Sequence, residues 1–133
     1  MSEHAISNAR GWLSTIVGAM TALEALNDGA ESAEFDGETF TDPDDVQQRI
    51  HEMPLSVEVR DGWRAPGGES EPEEFAILLS TGGPALRVYG EISDGDGLLQ
   101  WQDWGTPWTT YHDTTEQEDE ALRAFVGMFY LGE

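Results

Sequence analysis

The most concentrated group of chemically capable side chains lies in residues 101–112, WQDWGTPWTTYH. Aromatic rings beside a carboxylate and a histidine are typical of sugar-binding clefts, where the rings form a stacking floor. A ligand-binding or enzymatic site on this segment would use Trp101, Asp103, Trp104, Trp108, Tyr111 and His112. Glycoside hydrolysis usually requires two carboxylates at a fixed separation. The segment supplies only Asp103, so a second carboxylate would have to come from elsewhere, for example from Glu91.

The same segment also has a structural interpretation, and the sequence favours it. Trp101 and Trp104 differ in parity, so their side chains point to opposite faces of one strand. Trp108 and Tyr111 follow that strand and can fold back over its outer face, where Trp63 from another loop could join them. Because large aromatic side chains are usually at least partly buried, we predict a small second core on the outer face of a sheet.

Two glycine-rich stretches resemble ligand-binding loops but lack the features that those motifs need. The first, STGGPALR at 80–87, joins two predicted strands and has no helix after it, unlike a phosphate-binding loop. The second, DGDG at 94–97, places Leu98 and Gly105 at positions where a calcium loop needs ligands. We interpret both stretches as turns between strands.

Few other residues are candidates for catalysis. The chain has no cysteine and no lysine, which excludes disulfides, thiolate chemistry and Schiff-base chemistry. None of the histidines, which are His4, His51 and His112, has a second histidine at a metal-binding spacing. His112 precedes Asp113, but the sequence assigns no nucleophile to that pair. We therefore predict no catalytic residue, no metal and no cofactor, and the sequence favours a protein that is not an enzyme.

The charge of the chain is its most unusual property. Twenty-seven acidic residues face six arginines, for a formal net charge of −21 at pH 7. Such a field repels DNA, RNA and anionic membranes, and it attracts basic proteins. We therefore expect no direct binding to nucleic acid or membrane. The expected partner is a basic host protein, in particular one that binds nucleic acid.

Two acidic clusters are candidates for the partner-binding surface. Residues 28–45 hold eight acids and no base, and residues 69–74 form a second run, ESEPEE. Acids at the start of a helix stabilise that helix, which accounts for part of the clustering. The predicted partner-binding residues are Asp28, Glu31, Glu34, Asp36, Glu38, Asp42, Asp44, Asp45, Glu69, Glu71, Glu73 and Glu74.

Three explanations of the acidity stay open at this level. The leading one is mimicry of a nucleic acid, whose duplex carries one charge per about 1.7 Å of axis. The second is adaptation to high salt, which the absence of lysine fits, although a GC-rich genome would also favour arginine. The third is solubility alone.

The elements that must position these residues follow from apolar periodicity. Apolar residues at three- and four-residue spacing predict a helix over 3–27, and Asp42 before Pro43 predicts the start of a second helix. Thr115 with Glu118 predicts a capping box at the start of a third helix. Alternating or continuous apolar runs predict strands at 55–60, 75–81, 85–92 and 98–104.

This order of elements predicts a single α+β domain over residues 1–133. We expect a four-stranded antiparallel meander sheet with the N-terminal and C-terminal helices packed on one face. In its first strand, Leu55, Val57 and Val59 are expected to point inward. The start of the chain lacks a signal-peptide pattern and no apolar run could span a membrane, so we expect a cytoplasmic location.

Residues 50–133 also carry a family resemblance. They contain the stretches PLSVEVRDGW, EEFAILLSTGGPALRVYGEI, QDWGTPW and FVGMFYLGE. Together these resemble a family of small acidic proteins of phages, plasmids and integrated mobile elements that has no agreed activity. The resemblance implies a mobile-element accessory protein and assigns no functional residue. Some unrelated mobile-element proteins of this size are acidic inhibitors of host defence, such as anti-CRISPR and antirestriction proteins, and that is a likeness of class only.

Overall fold

The computed structural model describes residues 3–69, 71–81, 84–103, 105–129 and 131. These residues form α1 (Glu3–Asn27), β1 (Ala33–Phe35), β2 (Glu38–Phe40), α2 (Pro43–Glu52), β3 (Ser56–Asp61), β4 (Pro72–Ser80), β5 (Ala85–Glu91), β6 (Leu98–Gln102), β7 (Thr109–Thr110) and α3 (Glu116–Val126). The predicted α+β class is confirmed. None of the described helices is both long and apolar enough to cross a lipid bilayer.

The main sheet is antiparallel and has five strands in the order β3-β4-β5-β6-β7. The sequence predicted four strands, and these correspond to β3–β6. The fifth strand, β7, is two residues long, which is too short for an alternating apolar pattern. A separate two-stranded sheet pairs β1 with β2.

The β1–β2 hairpin lies within the acidic stretch 28–45, where the apolar pattern predicts no strand. Its turn residues, Asp36 and Gly37, both have positive φ, at 53° and 78°. Asp-Gly is a preferred pair for a two-residue hairpin turn because such turns require positive φ at both central positions. Phe35 is buried, and its ring lies 6.0 Å from that of Phe40 across the hairpin. The two phenylalanines therefore anchor the acidic hairpin to the rest of the fold.

The predicted helix starts are confirmed. The side chain of Asp42 accepts a hydrogen bond of 2.9 Å from the backbone N–H of Asp44, with Pro43 in the first turn of α2. At the start of α3, Thr115 Oγ1 accepts from the N–H of Glu118 at 3.2 Å. In return, Glu118 Oε1 accepts from the N–H of Thr115 at 2.9 Å, which completes the capping box.

The core lies between the helices and one face of the main sheet, which we call the inner face. Alternate residues of β4, β5 and β6 are buried on this face, and α1 and α3 contact each other and β6. The largest buried side chains of the core include Phe75, Ile77, Leu86, Val88, Leu99, Leu13, Ile16, Leu122 and Phe125. The opposite, outer face carries the other alternate residues, including Glu74, Ala76, Arg87 and Tyr89.

Leu55, Val57 and Val59, which the alternation predicts to point inward, are not buried. Their side chains are 61%, 39% and 46% exposed. Val57 and Val59 pair with Ile77 and Phe75, so they do lie on the inner face. However, β3 is the edge strand, and the helices lie over β6, with no more than marginal contact to β3 in the described residues. The apolar pattern predicts the face correctly but not the extent of the helical layer.

Candidate functional site

The acidic segment, residues 28–45, is an ordered and exposed surface. It consists of the connection after α1, the β1–β2 hairpin and the start of α2. The carboxylates that it carries are all exposed: Asp28, Glu31, Glu34, Asp36, Glu38, Asp42, Asp44 and Asp45. The structure therefore places the first set of predicted partner-binding residues on three consecutive parts of one exposed segment.

One arginine lies against the acidic segment. Arg49, near the end of α2, forms ion pairs with Asp36 at 3.1 Å and with Glu38 at 3.2 Å. The hydrogen bonds that Arg49 donates to Glu38, and then the one that it donates to Asp36, raise the pKa of Arg49 above its ordinary value. The other six carboxylates of the segment have no ion-pair partner among the described residues. The segment therefore keeps most of its negative charge after folding.

The second predicted cluster is less uniform. Glu69, Glu71 and Glu73 are exposed, but Glu74 is half-buried and forms an ion pair with Arg60 on the neighbouring strand β3. Glu74 also lies opposite Glu91 in the β4–β5 register. The carboxylate of Glu73 lies against Gly62, where an added Cβ would overlap it. Glu73 and Glu74 therefore contact β3 and the residue that follows it, instead of extending freely into solvent.

The aromatic segment 101–112 is divided between the two faces of the sheet. Trp101 is 8% exposed, and it belongs with Tyr111 to the buried core on the inner face. Trp108 lies on the other side, where its ring stacks on the guanidinium of Arg87 at 4.2 Å. Trp104 lies outside the described residues. The structure therefore does not bring Trp101, Trp108 and Tyr111 together as one stacking floor.

The polar residues of that segment do not converge on the aromatic rings. His112 is exposed. Asp103 is partly buried, and its backbone N–H and C=O both bond to the Thr106 hydroxyl, at 3.1 and 2.9 Å. The suggestion that Trp63 joins an outer-face core is wrong, because its side chain is fully exposed.

Arg87 is a residue that the sequence did not single out. Its guanidinium lies between the rings of Tyr89, at 4.7 Å, and Trp108, at 4.2 Å, and its Nε donates to Gln100 Oε1 at 2.8 Å. Burial lowers the pKa of Arg87. It is the one arginine that forms no ion pair with a carboxylate of the described residues. Its alternation with Tyr89 on β5 was visible in the sequence, but the pairing with Gln100 depends on the β5–β6 register.

Arg87, stacked between Tyr89 and Trp108, covers part of the outer face. Beside it lies a depression of about 240 Å³, lined in part by Glu58, Ala76 and Arg87. Two arginines and two glutamates line this depression, so it has no dominant charge. Its features fit a layer that closes the outer face better than they fit a site for a defined ligand.

The histidine at the end of α2 has a structural environment. His51 Nε2 lies 2.6 Å from the carbonyl oxygen of Met128, and its ring lies edge-on to Phe129 at 5.5 Å. These contacts connect α2 with the segment after α3. In the part of the chain that the structure describes, no group of three or more histidine or carboxylate side chains is arranged to hold a metal ion.

No family model, curated protein or solved structure matches the chain. Function must therefore be inferred from the chain's own surface. Two features distinguish this surface. One is the exposed acidic segment, and the other is the pair of exposed valines, Val57 and Val59, on the edge strand β3.

Proposed function

We propose that the protein is a non-enzymatic acidic binding protein whose acidic segment occupies a basic, nucleic-acid-binding surface of a partner protein. The observation that carries this proposal is the exposure of all eight carboxylates of residues 28–45, which lie on the connection after α1, the β1–β2 hairpin and the start of α2. Arg49 neutralises two of them at most. A partner that contributes arginine or lysine side chains would pair with the others.

The ordered backbone of the segment supports mimicry of a nucleic acid. A nucleic-acid mimic must hold its charges in fixed positions, because duplex DNA presents one charge per about 1.7 Å of its axis. The Asp36–Gly37 turn, the ring contact of Phe35 with Phe40 and the Asp42 cap all restrain the backbone that carries the carboxylates. The net charge of −21 would also accelerate the encounter with a basic surface.

The test compares two variants of equal net charge. The first replaces Asp28, Glu31, Glu34 and Asp45 by their amides, which touches neither the Asp42 cap nor the Arg49 ion pairs. The control replaces four exposed acids outside the segment: Asp94, Asp113, Glu116 and Glu120. Each immobilised protein is exposed to a nuclease-treated lysate of the source cells, and captured proteins are eluted with a 20-base-pair DNA duplex.

We expect the unmodified protein to capture a basic protein that the duplex releases. The four-amide variant of the acidic segment should retain at most about a tenth of it, because each charge contact removed weakens binding. The control variant should retain at least half. Equal losses for both variants, or capture that duplex DNA does not reverse, would show that only total charge matters and would contradict the proposal.

The spread of acids over the surface favours a second candidate, adaptation to concentrated salt. Exposed carboxylates also occur on α1, in the β5–β6 connection and on α3, including Glu24, Asp94 and Glu120. In such a protein the repulsion among them is screened only when salt is abundant, since the Debye length falls to about 3 Å at 1 M.

The salt candidate predicts a rising melting temperature. Between 0.1 M and 2 M potassium chloride, Tm should rise by about 10 °C, because screening removes the self-repulsion of the −21 charge. Thermal unfolding followed by circular dichroism measures the change. The variant with four amides in the acidic segment serves as a control, since its smaller charge should reduce the salt dependence. A high Tm at 0.1 M that added salt does not change would reject adaptation to salt.

A further inference from the structure

The large exposed apolar residues of the described part of the chain are concentrated in and beside one strand, β3. Leu55, Val57, Val59 and Trp63 are 61%, 39%, 46% and 103% exposed. They are four of the six large apolar side chains that are exposed in the described part of the chain. We call them the β3 edge surface. Val57 and Val59 lie at alternate positions of β3, and Leu55 and Trp63 lie just before and after the strand. Single exposed apolar residues are ordinary, but such a group around one edge strand indicates an interaction site.

The backbone of β3 is also available for pairing. β3 is the edge of the main sheet, and among the described strands it pairs with β4 alone. In an antiparallel edge strand, every second residue directs its N–H and C=O groups away from its neighbour. The β3–β4 register is regular from Ser56 to Arg60 and shifts only between Arg60 and Asp61. Sheet edges are usually protected by lysine, proline or a bulge, and β3 has such a feature only at its end.

The charges around β3 determine which strand could pair with it. On the outer face its side chains are those of Ser56, Glu58 and Arg60, and the ion pair with Glu74 occupies Arg60. Glu58 is exposed and forms no ion pair with an arginine of the described residues, so it is the carboxylate of this side that an incoming basic residue could pair with. A second copy of the chain would bring another net charge of −21 against it. An incoming strand with basic residues on the outer side and apolar residues on the inner side matches both faces.

We propose that the β3 edge surface binds an extended segment of a basic partner protein by strand addition, with alternating apolar and basic side chains. Backbone hydrogen bonds to β3 would supply affinity, and the alternating side chains would supply specificity. The apolar residues of the segment would cover Val57 and Val59, and its basic residues would lie beside Glu58. The choice of a basic partner rests on the proposed function, whereas the edge position and exposure of β3 do not.

The test uses a defined peptide with blocked ends, Lys-Val-Lys-Val-Lys-Val-Lys. A first comparison peptide has proline in place of the central valine, which keeps the charge but prevents strand pairing. A second has serine in place of every lysine, which keeps the alternation but removes the charge. Affinity is measured by fluorescence anisotropy at 0.15 M salt, and hydrogen exchange is followed at the amides of Ser56–Asp61.

We expect the Lys-Val peptide to bind at least tenfold more tightly than either comparison peptide. It should also slow the exchange of alternate β3 amides. The variant Val57→Thr with Val59→Thr, which keeps β-branched side chains and net charge, should weaken binding about fivefold. Leu98→Thr is the control, because Leu98 is 49% exposed but lies on the outer face of β6, and it should change binding less than twofold.

Three results would overturn the inference. Equal binding of the proline peptide would mean that charge alone attracts the peptide, and equal binding of the serine peptide would remove the preference for a basic partner. A dimer in sedimentation at 0.15 M salt that is lost in the Val57→Thr, Val59→Thr variant would make a second copy the occupant.

The four-amide variant of the acidic segment should still bind the Lys-Val peptide within twofold, so failure of the proposed function can be told apart from failure of strand addition.

Discussion

Replacement of Gly90 by alanine is expected to lower the free energy of unfolding by about 3 kcal/mol, because overpacking a closed site forces the backbone to shift. Gly90 is buried on β5 opposite Phe75. A Cβ at this position would overlap the carbonyl oxygen of Asp96 and lie 3.0 Å from Cζ of Phe75. The carbonyl belongs to the chain between β5 and β6, which crosses close to Gly90 and cannot move without disturbing that connection.

The same substitution at Gly11 is the matched control for Gly90. A Cβ at Gly11 would have no neighbour within 4 Å, and the residue lies on an exposed part of α1. There alanine should stabilise the protein by about 0.5–1 kcal/mol through its higher helix propensity. Urea unfolding of both variants measures the two effects, which should have opposite signs. A Gly90→Ala variant as stable as the unmodified protein would contradict a close crossing of the β5–β6 connection over Gly90.

Replacement of Arg10 by methionine is expected to cost about 2 kcal/mol of stability at pH 7, which is below the roughly 3–5 kcal/mol for breaking a fully buried pair. Arg10 forms an ion pair of 2.7 Å with Glu118, whose carboxylate is almost completely buried at the start of α3. The side chain of Arg10 is itself 45% exposed, so water can replace part of the lost interaction. Methionine keeps the apolar stem on α1, and therefore the loss reports on the charge.

The effect of Arg10→Met should depend on pH. Burial raises the pKa of Glu118, but the hydrogen bonds from Arg10 and Thr115 outweigh burial, so the pKa lies below its ordinary value of 4.5. A lowered pKa in the folded state contributes stability above pH 4.5 that is lost as the pH falls through the folded-state value. The difference between the unmodified protein and Arg10→Met should therefore be largest at neutral pH and shrink below pH 4.5.

Arg123→Met is the control for this ion-pair prediction. Arg123 pairs with Asp96 at 3.3 Å, but both side chains are about two-thirds exposed. Exposed ion pairs contribute about 0–1 kcal/mol, so this variant should lose less than 0.5 kcal/mol at either pH. Urea unfolding at pH 7 and pH 3.5 compares the two variants. Equal losses, or a loss for Arg10→Met that does not change with pH, would contradict the role given to Glu118.

Local signals in the sequence predicted the helices and their starts well. Asp42 with Pro43 and the Thr115–Glu118 capping box depend on residues within one turn, and the structure forms both. The β1–β2 hairpin also has a local signal, the Asp36–Gly37 pair, but its three-residue strands are too short to show an alternating apolar pattern. Residues only a few positions apart are therefore sufficient to indicate these helix starts and this turn.

Longer-range features could not be predicted from one sequence. Alternation shows that Val57 and Val59 share a face, but only the position of the helices decides whether that face is covered. Likewise, alternation shows that Trp101 and its sequence neighbours on β6 point to opposite faces of the sheet, but it does not show which face is the inner one. The stacking of Arg87 with Trp108 requires the strand order and the path of the chain after β6. These features arise from tertiary packing, and they include much of the candidate binding surface.

The unequal edges of the main sheet limit how the protein can assemble. β3 offers six residues for pairing, whereas β7 at the other edge has only two. A strand that joins β3 meets no comparable template on the far side of the sheet. The sheet can therefore take up one partner strand, at β3. Because β7 offers only two residues for pairing, further copies would not add edge to edge to extend the sheet into a fibre.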